Sequence, residues 1–139
     1  GMKLNMKVRY GLRAVIEIAE ASSIGLYQKE IAEKQKIPLK FLDTIIIGLR
    51  NFGIVKNVLG KRSGYVLARP IDQITIYDVY RAFEPEMSVV DCLCLPNSCE
   101  MNSGCIAEPF WSNLNTTIKN TLNNTTIKDL MDNNQTRIE

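Results

Sequence analysis

Four cysteines, Cys92, Cys94, Cys99 and Cys105, fall within fourteen residues, in the stretch C-L-C-L-P-N-S-C-E-M-N-S-G-C, and the chain holds no others. Packing gives no reason for such a cluster. Pro96, Asn97, Ser98, Asn102, Ser103 and Gly104 lie between them. These residue types favour turns, so the spacing predicts a loop, not a strand or helix. A loop of this kind can turn several thiolates onto one soft metal centre, an iron–sulfur cluster or a zinc ion. As C-x-C-x4-C-x5-C it could also supply four thiolates to structural zinc, or pair its thiols as a redox switch without metal.

Catalysis of the common kinds is excluded by what is missing. The chain has no histidine for general acid–base work and no glycine-rich phosphate loop. It has no Ser or Cys beside a plausible base either, so the sequence does not read as an enzyme. At 139 residues and 45% apolar content it is long enough for one cored domain, or one domain with an arm. No run of eighteen apolar residues occurs, so no membrane span is expected. Met2 to Lys7 lacks the apolar core of a signal peptide. The expected location is therefore the reducing cytoplasm, where clustered cysteines point to metal or redox chemistry more than to structural disulfides.

The net charge of +2 hides an asymmetry. Residues 1–70 hold 13 Lys and Arg against 5 Asp and Glu, a balance of +8, whereas residues 71–139 hold 4 against 10, a balance of −6. A basic first half suggests that this half faces a polyanion.

The elements that must position these groups follow from periodicity. A first helix is expected from a cap at Asn5 to Ala21, burying Leu12, Val15, Ile16 and Ala19. Gln28–Gln35 reads as a short helix with Ile31 and Ala32 inward. After the turn Lys36-Ile37-Pro38, a third helix opens at Pro38 and runs to Asn51. Leu42, Ile45, Ile46 and Leu49 share one side of it, and Lys40, Asp43, Thr44, Ile47 and Asn51 the other. Two short helices across a tight turn, the second with an outward polar stripe, make a helix-turn-helix. Ile54–Leu59 and Tyr65–Ala68 read as strands joined by Gly60-Lys61-Arg62-Ser63-Gly64. A basic hairpin at that place is a wing, with Lys61 and Arg62 able to reach phosphates or a minor groove. A fourth helix starts from a Thr75/Asp78 capping box, buries Ile76, Val79, Tyr80 and Phe83, and ends at Pro85. Pro109 opens a long helix whose narrow seam of Trp111, Leu114, Ile118 and Leu122 suits a dimer contact. Thr126 and Asp129 cap a last short helix holding Ile127, Leu130 and Met131, with a frayed tail from Asn133.

In this order and spacing the chain resembles the Rrf-two family of bacterial winged-helix regulators, the group of IscR, NsrR and CymR. The marks are M-K-L-N-M-K-V-R-Y-G-L-R-A, the pair E-I-A-E-K-Q-K-I-P-L-K-F-L, the wing G-K-R-S-G-Y, and C-x5-C-x2-E-P-F-W before the long helix. The resemblance spans almost the whole chain. It implies a homodimer crossed at the long helix, two winged helices on a double-stranded DNA operator, and, in cluster-bearing members, three cysteines and one further ligand around a [2Fe-2S] or other Fe–S cluster.

Carried over by residue, Cys99 and Cys105 keep the family interval, while the first ligand is Cys92 or Cys94. Where IscR-like proteins place a histidine this chain has Glu108, and where NsrR-like proteins place a carboxylate on the first helix it has Arg9. The fourth ligand would then be Glu108, the spare cysteine or an exogenous group.

The expected fold is mainly α with a small β-hairpin. A winged helix-turn-helix (residues 1–84) precedes a cysteine-rich sensor loop (85–108) and a dimerisation helix with its tail (109–139). The expected function is DNA-binding transcriptional regulation, as a repressor whose operator affinity follows the cluster or thiol state of Cys92–Cys105. The alternative is a small structural zinc adaptor.

Overall fold

The computed structural model describes residues 4–21, 23–58, 64–90 and 106–138. Among these, α1 (Met6–Glu20), β1 (Leu26–Tyr27), α2 (Gln28–Gln35), α3 (Leu39–Asn51), β2 (Val55–Asn57) and β3 (Gly64–Leu67) precede a 3-10 turn at Ile71–Gln73. Then come α4 (Ile76–Arg81), α5 (Glu108–Asn124) and α6 (Ile127–Ile138).

Helix α1 starts where expected, because the Asn5 side chain accepts from the backbone N–H of Val8 at 3.0 Å. Its inward residues Ala14, Val15 and Ile18 meet Ile31 and Ala32 of α2 and Leu42, Ile45, Ile46 and Leu49 of α3 in one core. The stripe foreseen on α3 is the buried one, with Leu42, Ile45 and Leu49 at 0% exposure. The 3.6-residue period left those side chains no other face to share.

Lys36 closes α2 in the left-handed region at φ 54°, the usual way a helix stops, and lets the buried Ile37 turn the chain into α3. Pro38 is the N-cap of α3 and not its first helical residue. Glycine at the α3 exit, Gly53 at φ +79°, adopts what other residues resist.

The first wing strand is shorter than the sequence suggested and the second is shifted by one residue, and they sit in a three-stranded antiparallel sheet of order β1-β3-β2. In its register Lys56 opposes Val66, and Leu26 opposes Tyr65. The two-residue β1 was not foreseen. It ties the loop before α2 to the root of the wing.

Helix α4 carries the expected capping box, Thr75 and Asp78 exchanging bonds of 2.9 and 3.0 Å, but it ends at Arg81, before Pro85. The second box also forms, between Thr126 and Asp129 at 2.9 and 3.1 Å. Helix α6 continues through Asn133 to Ile138 instead of fraying. Its first residue, Ile127, is fully buried in the main core. Backbone bonds of 2.9 Å, from Ile127 to Ile74 and from Ile76 to Thr125, join the start of α6 to the start of α4.

Candidate nucleic-acid interface

The second helix of the helix-turn-helix presents one open face. Lys40, Asp43, Thr44, Ile47 and Asn51 are all exposed there, as the period of α3 required. These residue types suit base edges: Lys donates to guanine, Asp accepts from the cytosine amino group, and apolar side chains meet the thymine methyl.

Two groups at this face were not foreseen. Leu39 is 49% exposed, matching Ile47 at 49%. It sits in the first turn, ahead of the packed stripe, and its only signal was that position. Gln28, the first residue of α2, donates from its side-chain amide to the Asp43 carboxylate. Fifteen residues separate the pair, and no local pattern announces it.

Helix α3 is held firmly from behind. The Tyr10 ring of α1 meets Phe41 edge-on, with centroids 5.5 Å apart, and the Arg13 guanidinium lies 5.0 Å over Tyr10. Arg13 also donates to the Gln35 side chain at 3.0 Å and to the Gln35 carbonyl, which satisfies an end-of-helix acceptor of α2. Gln35 in turn donates to Glu17 at 2.9 Å. At the far end of α3, Arg50 reaches Asn57 of β2 across 3.4 Å. The expected wing-tip residues Lys61 and Arg62 lie outside the described residues.

So do Cys92, Cys94, Cys99 and Cys105, but both roots of their stretch are placed. On the upstream side Met87 and Ser88 are buried. Met87 packs in a second cluster with Val8 of α1 and Tyr80 of α4, and Ile118 of α5 lies against it. The Met87 N–H donates to the Tyr77 hydroxyl at 3.3 Å, and the Val89 N–H to the Asn115 side chain at 2.9 Å. Glu86 and Lys119 pair at 2.5 Å, and the Lys119 ammonium stands 5.6 Å over the Tyr77 ring. Lys119 holds the Glu86 carboxyl below its ordinary range, chiefly through that hydrogen bond.

On the downstream side Glu108 is the first residue of α5, followed by Pro109. A carboxylate there is favoured by the helix dipole. Ile106 is 97% exposed and Phe110 61%. No group of three or more His, Cys, Asp or Glu side chains among the described residues could hold a metal ion.

Trp111, Leu114, Ile118 and Leu122 are each half-buried along α5. Of these, Ile118 touches its own subunit's second cluster. No helix among the described residues is long and apolar enough to cross a membrane.

Comparison with known proteins agrees with this architecture. The profile of the Rrf2 (Rrf-two) family, described as iron-dependent transcriptional regulators, matches residues 4–133. IscR of Sodalis glossinidius is 31% identical over 96% of this chain and 81% of its own length. CymR of Bacillus subtilis is 32% identical over 93% of this chain and 89% of its own. The solved structure of CymR, described as the global cysteine regulator of B. subtilis, superposes with a TM-score of 0.76 at 31% identity, covering 94% of this chain and 96% of that one. The T. potens IscR structure gives 0.74 at 27% identity, covering 96% of this chain and 88% of that one.

These relatives are transcriptional regulators and not enzymes. With its helix-turn-helix, three-stranded wing sheet and long fifth helix, the chain belongs to the Rrf2 family of winged-helix transcriptional regulators.

Proposed function

We propose that this regulator is a homodimeric repressor whose affinity for its DNA operator is set by the state of Cys92, Cys94, Cys99 and Cys105, in the first instance by an iron–sulfur cluster. The observation that carries the reading is the anchoring of the upstream root of that stretch. Met87 joins α1, through Val8, to α4, through Tyr80, and lies beside Ile118 of α5. A change of order in the cysteine stretch therefore has a packed route to the helix behind α3 and to the helix that would pair two subunits. Two states of differing DNA affinity are all that such control requires.

The donor set fits iron–sulfur chemistry: thiolates are the ligands such clusters take. Cys99 and Cys105, with Cys92 or Cys94, would hold the cluster, and Glu108 or the spare cysteine would complete it. A carboxylate is a harder partner for such iron than thiolate or imidazole, which suits a cluster that is easily lost. When bound, the cluster would supply a redox- and oxygen-sensitive centre. The chain's own part is to tether that centre between Met87 and the start of α5. Lys40, Asp43 and Thr44 would meet base edges, Lys61 and Arg62 phosphates or a minor groove, and Trp111, Leu114, Ile118 and Leu122 the second subunit.

Likeness to CymR as close as to IscR, 32% against 31% identity, favours thiol control as the second reading. There the same cysteines would pair on oxidation without metal. Anaerobic purification followed by an absorption spectrum and assays for iron, sulfide and zinc separates these cases. The cluster reading expects a reddish-brown protein with iron and acid-labile sulfide. A colourless, metal-free protein that gains a disulfide in mild oxidant favours the second reading, and stoichiometric zinc overturns both.

A further inference from the structure

The geometry points to Gln28 as a specificity-determining residue, one that holds the Asp43 carboxylate in its DNA-reading position from the neighbouring helix. The inference rests on the reading of α3 as the helix that reads DNA.

An aspartate on the face of a DNA-reading helix is an awkward group. Its charge repels the phosphates, so it is useful only where it meets a donor such as the cytosine amino group. Left free it would also sample several rotamers, and fixing it on binding would weaken the contact. The Gln28 amide donates to Asp43 Oδ1, which leaves Oδ2 as the acceptor available to a base. Both side chains are at the solvent face of the helix pair, and Asp43 is flanked along α3 by the exposed Lys40 and Ile47.

Gln28 is itself placed by its helix. It is the first residue of α2, where the Glu30 carboxylate accepts from the Tyr27 backbone N–H at 3.1 Å, so the chain direction at Gln28 is set locally. The unit that reads DNA is then a pair spanning both helices. Recognition of cytosine by Asp43 depends on a residue fifteen positions away.

The test begins with the full-length wild-type protein and a randomised duplex library. Duplexes it enriches are then titrated, with every single-base variant, against wild type, Asp43→Ala, Gln28→Ala and the double variant. Alanine is a good helix former, Asp43 is exposed and Gln28 only partly buried, so the variants should fold, which circular dichroism checks.

The expected result is that one base pair loses discrimination by about fivefold or more, within the range of a single base contact, in Asp43→Ala and in Gln28→Ala alike. The double variant should be no worse than Asp43→Ala alone. The inference is overturned if Gln28→Ala keeps the wild-type preference, weakens all duplexes equally, or alters a base pair that Asp43→Ala leaves untouched. Failure of the wild type to enrich any sequence is a different result. It would overturn the reading of α3 as a DNA-reading helix, and this inference with it.

Discussion

Phe83 occupies the crossing of α1 and α3, where Gly48 leaves room for its ring. A Cβ added at Gly48 would stand 2.5 Å from Phe83 Cε1, and one added at Gly11 would stand 2.5 Å from Cε2. The ring is thus held between two helices at sites where each lacks a side chain. Phe83 lies just past the Ala82 cap of α4 and comes four residues before the buried Met87, so it joins the segment leading to the cysteines with the back of α3.

Gly48→Ala is accordingly expected to destabilise the fold. Alanine in mid-helix gains up to about 1 kcal/mol over glycine in propensity, but overpacking costs about 1–3 kcal/mol. The ring has one open side, a cleft lined by Asn5, Met6, Lys7, Phe41 and Glu84, so the overpacking should fall near the middle of that range, about 2 kcal/mol, for a net loss of about 1 kcal/mol. Urea unfolding should show it. Combining Gly48→Ala with Phe83→Leu should recover most of the loss, and no recovery would mean that the ring does not set the spacing.

The seam on α5 calls for a careful choice of residue. Ile118 packs on Val8, Tyr80 and Met87 of its own subunit, so a charge there would disturb the fold as well as any dimer. Leu114 is the better probe. Leu114→Glu should place an unpaired charge in the subunit contact at a cost of several kcal/mol, and sedimentation should show a monomer with weakened DNA binding. A dimer of wild-type affinity would place the interface elsewhere.

Much of this arrangement was legible in the sequence, for reasons that are local. Leu42, Ile45, Ile46 and Leu49 announce a face because a helix repeats every 3.6 residues. Thr75 with Asp78, and Thr126 with Asp129, announce starts because a capping box needs only three intervals. What escaped is non-local. Leu26 and Tyr27 form a strand only because Gly64 and Tyr65, nearly forty residues on, supply the partner backbone. Gly48 gave no sign that it serves Phe83. The tail from Asn133 was expected to fray as a chain end, yet α6 runs through it to Ile138, with Ile127 locking its start into the main core. The exposure of Lys40, Asp43 and Thr44 on the open face of α3 followed from helical phase, whereas Gln28 belongs to another helix and its bond to Asp43 did not.

The Glu86–Lys119 pair gives a pH signature. Lys119 holds Glu86 below its usual 4.5, so this contribution to stability is present above 4.5 and is lost as pH falls through the lowered value. Glu86 in turn raises Lys119 above 10.5, and that contribution fades only as pH rises through the raised value. Glu86→Gln should lower Tm slightly at neutral pH. The gap between variant and wild type should close on acidification below 4.5. A constant gap across that range would mean that the pair adds nothing that titrates.

Lys61 and Arg62 carry the expectation for the wing. Each phosphate contact contributes about 0.9 to the slope of log affinity against log salt. Lys61→Ala with Arg62→Ala should flatten the slope by roughly 1–2 while leaving base preference intact. An unchanged slope would remove the hairpin tip from the interface.

Control of operator affinity by the cysteine stretch is open to direct measurement. Its most direct test is one titration by fluorescence anisotropy, of a duplex enriched by the protein, with anaerobically isolated protein before and after exposure to air or mild oxidant. Allosteric coupling of about 1–3 kcal/mol corresponds to a 5- to 150-fold change in affinity. The account predicts a change in Kd within that range for the wild type, and its disappearance in Cys99→Ser and Cys105→Ser. Equal Kd values in both states of the wild-type protein would contradict it.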